Sequence, residues 1–187
     1  MKNDLNSYIK VYNLLPKQLC DKTISEIENA NWEPHVFYFP ELGEYKAKSG
    51  DKELSVFGGD IPSKPELMGI YWQAIFNYVK DLDFPWFANW QGYTSIRFNK
   101  YENSKLMAKH CDHITEIFDG QKKGIPTLSV VSALNDNYSG GEFIMFDDYE
   151  IKLNQGDILI FPSTFMYPHT VKEVTEGIRY SAVSWVW

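Results

Sequence analysis

The sequence predicts a β-sandwich or jelly roll buttressed by helices on one face. Three observations carry that expectation. Apolar residues recur with the helical period in the first half of the chain and with period two from residue 93 onward. The period-two runs are short and separated by Gly/Asn/Asp/Ser turns, notably "NDNYSGG" and "NQGD". Aromatic residues make up 16% of the chain, which favours a broad β-rich core or a groove lined with rings. At 187 residues, 44% of them apolar and 23% charged, the chain suits one domain spanning 1–187. Within it, residues 1–92 are expected to supply helical support and a candidate lid, and 93–187 the β core.

The first helix is expected from about Pro16 to Asn29, because proline suits a first helical position. Leu19, Thr23, Ile24 and Ile27 then share a side. The second reads more clearly in "SKPELMGIYWQAIFNYVKDL", where Ser63 and Glu66 have capping-box spacing. Leu67, Ile70, Tyr71, Ala74, Ile75, Tyr78, Val79 and Leu82 form a stripe that packs on a sheet. Residues 31–60 combine an aromatic run, Trp32 to Phe39, with the polar, hairpin-like "PELGEYKAKSGDKEL". The strands follow as "YTSIRFNKY", "TLSVVSAL", "GEFIMFDD", "GDILIFPS" and "IRYSAVSWVW". Gly140 and Gly141 read as a tight turn and not a phosphate cradle, since no helix start follows.

Charge narrows the partners. With 18 basic and 25 acidic residues the net charge is −7, and no basic cluster appears, so nucleic acid and anionic membrane are not expected partners. Any anionic substrate must be held by a locally positive site. The polar opening "MKNDLNSYIK" is not a signal peptide, and no apolar run approaches the roughly 18 residues of a spanning helix. Two cysteines, Cys20 and Cys111, cannot build a disulfide framework and suit a reducing cytoplasm. No sequence feature specifies an oligomeric state.

The chemistry concentrates in "KHCDH", which holds two of the four histidines. At a strand end, His110 and Asp112 share a face, while Cys111 and His113 look the other way. A histidine and a carboxylate at this spacing are two thirds of a 2-His-1-carboxylate triad, which suits non-haem Fe(II) with open positions. His35, His113 and His169 remain for the third place. His113 is on the wrong face and His35 lies in the ambiguous segment. His169 follows the strand "GDILIFP", is expected in the same sheet, and is chosen. Cys111 reads as a small buried apolar group. Next, "PHTVKEVTEGIRYSAVSW" reads as a hairpin turning at Thr175-Glu176-Gly177. That register pairs Glu173 with Arg179 and Val171 with Ser181, putting His169, Arg179 and Ser181 on one face. Arg179, always charged and forked, would then hold the far carboxylate of a dicarboxylate whose other end meets the metal. Trp185 and Trp187 continue that alternation, fitting either the barrel mouth or plain packing. Arg97 fits either substrate guidance or a solvated strand.

Taken together, "HCD", "PH" and "GIRYS", with "SGGEFIMF" and "GDILIFPS" between them, resemble the Fe(II)/2-oxoglutarate-dependent oxygenases of the prolyl 4-hydroxylase-like branch, over roughly Ser95 to Trp187. The resemblance implies a double-stranded β-helix, a cupin-like jelly-roll, with catalytic iron held by His110, Asp112 and His169. It further implies 2-oxoglutarate anchored by Arg179 with Ser181 assisting, O2 as oxidant and ascorbate as reductant. Tyr101 is the candidate for the family's cosubstrate-binding tyrosine before H-x-D. Ala133 departs from a tyrosine that some relatives carry, and Ser129 is a candidate to make that contact instead. The implied activity is hydroxylation of an unactivated C–H bond, with a prolyl residue of a peptide or protein as leading substrate and free amino acids or small molecules open. The alternatives are a cupin-like Zn(II) or Mn(II) isomerase or hydrolase, and a catalytically silent barrel used for binding.

Overall fold

The structure, a computed structural model, describes residues 4–39, 41–83, 92–112 and 126–187. Two helices, α1 (Lys17–Ile27) and α2 (Lys64–Leu82), accompany fifteen short strands. In the N-terminal half these are β1 (Lys10–Asn13), β2 (Glu33–Pro34), β3 (Phe37–Phe39), β4 (Glu44–Lys46) and β5 (Ser55–Phe57). Next come β6 (Arg97–Tyr101), β7 (Met107–His110), β8 (Leu128–Ala133), β9 (Ser139–Gly140), β10 (Phe143–Met145) and β11 (Tyr149–Ile151). The chain ends with β12 (Asp157–Pro162), β13 (His169–Val171), β14 (Val174–Glu176) and β15 (Arg179–Val186). All five strands expected from the alternation are present.

A seven-stranded sheet, in the order β1-β12-β8-β15-β6-β5-β2, faces a four-stranded sheet ordered β11-β10-β13-β7. All their pairings are antiparallel. This is the expected jelly-roll of the double-stranded β-helix type. Alternation in β15 separates two cores. Tyr180, Ala182 and Val186 pack with Phe98, Val130, Ile158 and Ile160 against Leu19, Leu67, Tyr71 and Ile75 of the helices. Val183 turns the other way, into a core with Tyr101, Val131, Leu159 and Phe161 of the large sheet and Phe143, Met145 and Val171 of the small one. Burial of each large side chain contributes roughly 1.5–3 kcal/mol. Tyr71 adds direction to the helix–sheet contact: its hydroxyl lies 2.6 Å from Ser132 Oγ and 2.8 Å from the Ala182 carbonyl.

The helix stripe was read correctly, with Leu67, Tyr71, Ala74, Ile75 and Tyr78 buried, but the ends differ from expectation. Pro16 is the N-cap of α1 and not its first turn. Ser63 makes no capping hydrogen bond; its hydroxyl pairs with Thr23 and its N–H donates to Glu26, so the two helices tie each other down in place of a capping box.

The larger correction concerns the last hairpin. The chain does not fold back from β13 onto β15: β13 pairs with β10 and β7 in the small sheet, while β15 pairs with β6 and β8 in the large one. The turn at Gly177, where φ is +77°, is a crossing between sheets. Arg179 therefore sits opposite Tyr101 and not Glu173, and Ser181 opposite Asn99 and Ala133 and not Val171. For the same reason His169 shares no sheet with "GDILIFP", since β12 pairs with β1 and β8.

Gly140 and Gly141 form the tight turn expected of them, at φ +73° and +67°. A Cβ at Gly140 would collide with the Glu173 carbonyl oxygen, and one at Gly141 would come within 3.1 Å of Arg179 Cδ. Gly140→Ala thus adds left-handed strain of about 1–2 kcal/mol per residue to a backbone clash. At about 2–4 °C per kcal/mol, the expected fall in Tm is several degrees. An unchanged thermal melt would contradict this.

Candidate metal and cosubstrate site

The three chosen ligands converge. Among the described residues, His110, Asp112 and His169 form the one cluster of candidate metal donors, their ligand atoms all within 4.8 Å of one another. His169 faces His110 directly across the β13–β7 pair, and Asp112 follows two residues later. Both imidazoles are anchored the same way. His110 Nδ1 lies 2.8 Å from the Ala108 carbonyl and His169 Nδ1 lies 3.1 Å from the Tyr167 carbonyl. A carbonyl can only accept, so each Nδ1 carries a proton, and it is Nε2 of each ring that is turned toward Asp112 as the donor open to a metal. Those atoms stand 3.1 and 3.6 Å from Asp112 Oδ1.

Three such atoms facing one another call for positive charge between them, a proton on an imidazole in the metal-free protein or a bound cation. The anchoring carbonyls are the outer support that metal-bound histidines ordinarily have. Ser129 donates to the other carboxylate oxygen, Asp112 Oδ2, at 2.6 Å, and is itself 2.6 Å from Ser163 Oγ. Asp112 is thereby held as a one-oxygen donor. Burial favours its protonated form, but the charges and hydrogen bonds of His169, His110 and Ser129 outweigh this and hold the carboxyl well below the usual range. Two neutral nitrogens and one carboxylate fit a divalent ion such as Fe(II).

Arg179 is 2% exposed, yet no carboxylate lies within ion-pair reach of it among the described residues. Nη1 donates to Ser181 Oγ at 3.2 Å, the guanidinium lies 4.7 Å over the Tyr101 ring, and Nε has no partner. Leaving a cation buried and unpaired is costly. An incoming carboxylate relieves that cost, and the forked donors match its geometry. Arg179, Ser181 and Tyr101 thus form one group on the inner face of the large sheet, opposite the histidines' sheet.

Other candidates fall differently. Ser129, expected as a cosubstrate contact in place of Ala133, is engaged with Asp112 instead, and Ala133 lies across from Ser181 with no hydroxyl to offer. Cys111 is half-exposed and not a buried apolar group, its Sγ 3.4 Å from the Phe165 carbonyl. His113 lies outside the described residues. His35 is buried, 3.9 Å from Glu53 Oε1, and takes no place in the cluster. Sequence reasoning missed Glu53, 3% exposed, which accepts from the Ala108 and Ser49 N–H groups and so ties residues 49–53 to the strand bearing His110. Ser129 carried a readable signal for its true role, a polar residue at an inward position of an apolar strand; Glu53 carried none.

The buried histidines make the metal-free protein acid-sensitive. Burial pushes His169 down to about 4, helped by His110 and opposed by Asp112. Burial, then the charges of Arg97 and His110, push His35 down to about 3. Below about 6.5 the unfolded chain takes up protons that the folded chain refuses, so stability falls as pH drops from there toward those folded values. Asp112, depressed in the fold, adds stability above the ordinary carboxylate range and loses it on further acidification, in the same direction. Urea melts of the metal-free protein should show full stability at pH 7.5 and a clear loss by pH 5; equal midpoints would contradict the assignment.

Comparison with known proteins gives a consistent result. Residues 96–187 match the family model described as the 2OG-Fe(II) oxygenase superfamily. A PKHD-type hydroxylase of Aliarcobacter butzleri (strain RM4018) is 35% identical over 96 residues, covering 48% of this chain and 41% of that protein. One of Xylella fastidiosa (strain M12) is 36% identical over 100 residues, covering 48% and 43%. The chain thus spans about two fifths of the length of these relatives. In fold it is similar to a Pseudomonas putida prolyl-4-hydroxylase, with TM-score 0.68, 17% identity and coverage of 96% and 91%. It is likewise similar to a Trichoplax adhaerens prolyl hydroxylase in complex with a hypoxia inducible factor peptide fragment, with TM-score 0.69, 17% identity and coverage of 99% and 86%.

Proposed function

We propose that this chain, which belongs through residues 96–187 to the 2OG-Fe(II) oxygenase superfamily, is a dioxygenase that hydroxylates an unactivated C–H bond. One observation carries the reading: two imidazole lone pairs and one carboxylate oxygen converge on a single point in a barrel that also buries an acid-free arginine. His110 Nε2, Asp112 Oδ1 and His169 Nε2 would hold the iron. Arg179, with Ser181 and Tyr101, would pair with the far carboxylate of 2-oxoglutarate. When bound, iron with 2-oxoglutarate and O2 supplies the oxidising power, and the cosubstrate leaves as succinate and CO2. Ascorbate is the reductant we assign to keeping the ion divalent.

The chain's own part is to orient and to exclude water. Ser129 frees only one Asp112 oxygen for the metal, and the Ala108 and Tyr167 carbonyls fix both rings. Phe143 stacks on His169 with centroids 5.3 Å apart, and Phe37, in the β3–β4 hairpin, sits 5.3 Å from the His110 ring. These rings shield the metal-facing imidazoles. We assign the hairpin, which exposes Leu42 and Tyr45, as the wall or lid against which substrate lies.

A prolyl residue of a peptide or protein is the substrate we favour, since the similar fold with a bound peptide fragment is that of a prolyl hydroxylase. No described helix is long and apolar enough to cross a membrane, and both described cysteines are free, which fits the cytoplasmic setting we propose. A cupin-like hydrolase would leave the acid-free Arg179 without a role. The deciding assay measures succinate from 2-oxoglutarate: Fe(II)-dependent formation is expected, and none under any reductant, ascorbate included, would contradict the reading.

A further inference from the structure

Arg179 is not the lone cation inside the barrel without an acid. Arg97, two residues before Asn99 on β6, lies opposite Val183 of β15, on the same inner face as Tyr101 and Arg179. No described carboxylate is within ion-pair reach of it, and its Nε is buried without a hydrogen-bond partner. The guanidinium carbon sits 5.1 Å over the Trp185 ring. Stacking of this kind holds the guanidinium plane and leaves its edge donors free to fork onto an oxyanion. Two more orphaned buried atoms stand on the same face: the Trp185 Nε1 donor and the Asn99 Oδ1 acceptor.

The position is close to the chemistry. The charge of Arg97 is felt at Asp112, at Tyr101 and at His35. Asp112 is not its salt-bridge partner, because one of its oxygens receives Ser129 and the other faces the two histidines. With cosubstrate on Arg179 and metal on the triad, Arg97 remains the one inner-face cation with no anion to meet among the described residues. Desolvating a guanidinium inside a barrel without a counter-charge is unfavourable unless the counter-charge arrives with a ligand.

We propose that Arg97 anchors a carboxylate of the molecule being hydroxylated. This narrows the prolyl reading to a substrate with a free carboxylate, a chain-terminal residue or the free amino-acid-like acid, in place of a residue inside a chain. Its place on the inner face beside Tyr101 and Arg179 puts that carboxylate in the same cavity as the metal donors and the cosubstrate anchor. Trp185 Nε1 supplies a further donor to that carboxylate, and Asn99 Oδ1 accepts from an amine or amide N–H beside it. The inference rests on the oxygenase reading of the site and specifies what that site accepts.

The test uses full-length protein loaded with Zn(II), which does not turn over, and 2-oxoglutarate. N-acetyl derivatives of the common amino acids are compared by thermal shift, each as free acid and as carboxamide, and the best pair is measured by calorimetry. At least one acid should bind about tenfold or more tighter than its amide, about 1.4 kcal/mol. Arg97→Gln should erase that preference while leaving the 2-oxoglutarate dissociation constant within about twofold, and Arg97→Lys should keep part of it, because charge survives and the fork does not. Acids and amides binding alike, no acid binding at all, or a preference that survives in Arg97→Gln would overturn the proposal. A weakened 2-oxoglutarate affinity in Arg97→Gln would also overturn it, by assigning Arg97 to the cosubstrate. Failure of the wild type to bind 2-oxoglutarate would instead reject the oxygenase reading beneath it.

Discussion

Arg179→Ala raises the dissociation constant for 2-oxoglutarate by roughly 30- to several-thousand-fold. The basis is the buried guanidinium, which has no acid in ion-pair reach among the described residues: truncating one partner of a desolvated charge pair costs about 2–5 kcal/mol, and each 1.4 kcal/mol is about tenfold. Affinity for the metal should stay within about twofold, because Arg179 donates to Ser181 and touches none of the three donors. Calorimetry measures both, with Mn(II) titrated into metal-free protein and 2-oxoglutarate into the Mn(II)-loaded form. A second consequence separates binding from folding. Without cosubstrate the buried cation is a burden, so Arg179→Met should melt no lower than wild type and tends to melt higher. A large loss of stability in Arg179→Met would mean that the arginine is structural and the dicarboxylate assignment wrong.

His169→Ala weakens Fe(II) binding by more than about 100-fold. Loss of an outer partner of a metal ligand ordinarily costs about 10–100-fold, so removal of a direct donor must exceed that. Asp112→Ala should do the same. Ser129→Ala, which releases the Asp112 Oδ2 contact but removes no direct donor, should fall inside the 10–100-fold range. The ordering is the useful part, since a merely structural cluster would show no such gradation. Anaerobic equilibrium dialysis gives the three affinities, and a Ser129→Ala effect as large as that of His169→Ala would contradict the assigned roles.

What the sequence disclosed follows the distance over which each feature is determined. The α2 stripe and the shared face of Arg179 and Ser181 on β15 follow from local period, and the structure has both. Cross-strand partners are set by non-local pairing. "TEGIRY" looks like a hairpin turn, yet at Gly177 the chain passes from the two-stranded β14–β9 ladder into the large sheet. The common face of Arg179 and Ser181 is independent of that error, because alternation within β15 does not depend on which strands flank it. Short strands carry little apolar signal for a related reason. In β7, "MAKH", only Met107 is buried, and in β1, "KVYN", no residue is, so neither carries an apolar alternation; pairing with β13 and β12 makes them strands. At the site, the donors were legible because H-x-D is a local spacing. The carbonyls of Ala108 and Tyr167 that set both tautomers were not, since backbone carries no sequence signature.

The claim that one ion and one diacid are held together can be read in a single anaerobic titration. An α-keto acid chelating Fe(II) colours the complex through metal-to-ligand charge transfer, so absorption is followed as 2-oxoglutarate is added to Fe(II)-loaded protein. The account predicts a visible band in wild type, the same band at far higher 2-oxoglutarate in Arg179→Ala, and none in His169→Ala. No band in wild type, or an undiminished one in His169→Ala, would contradict it.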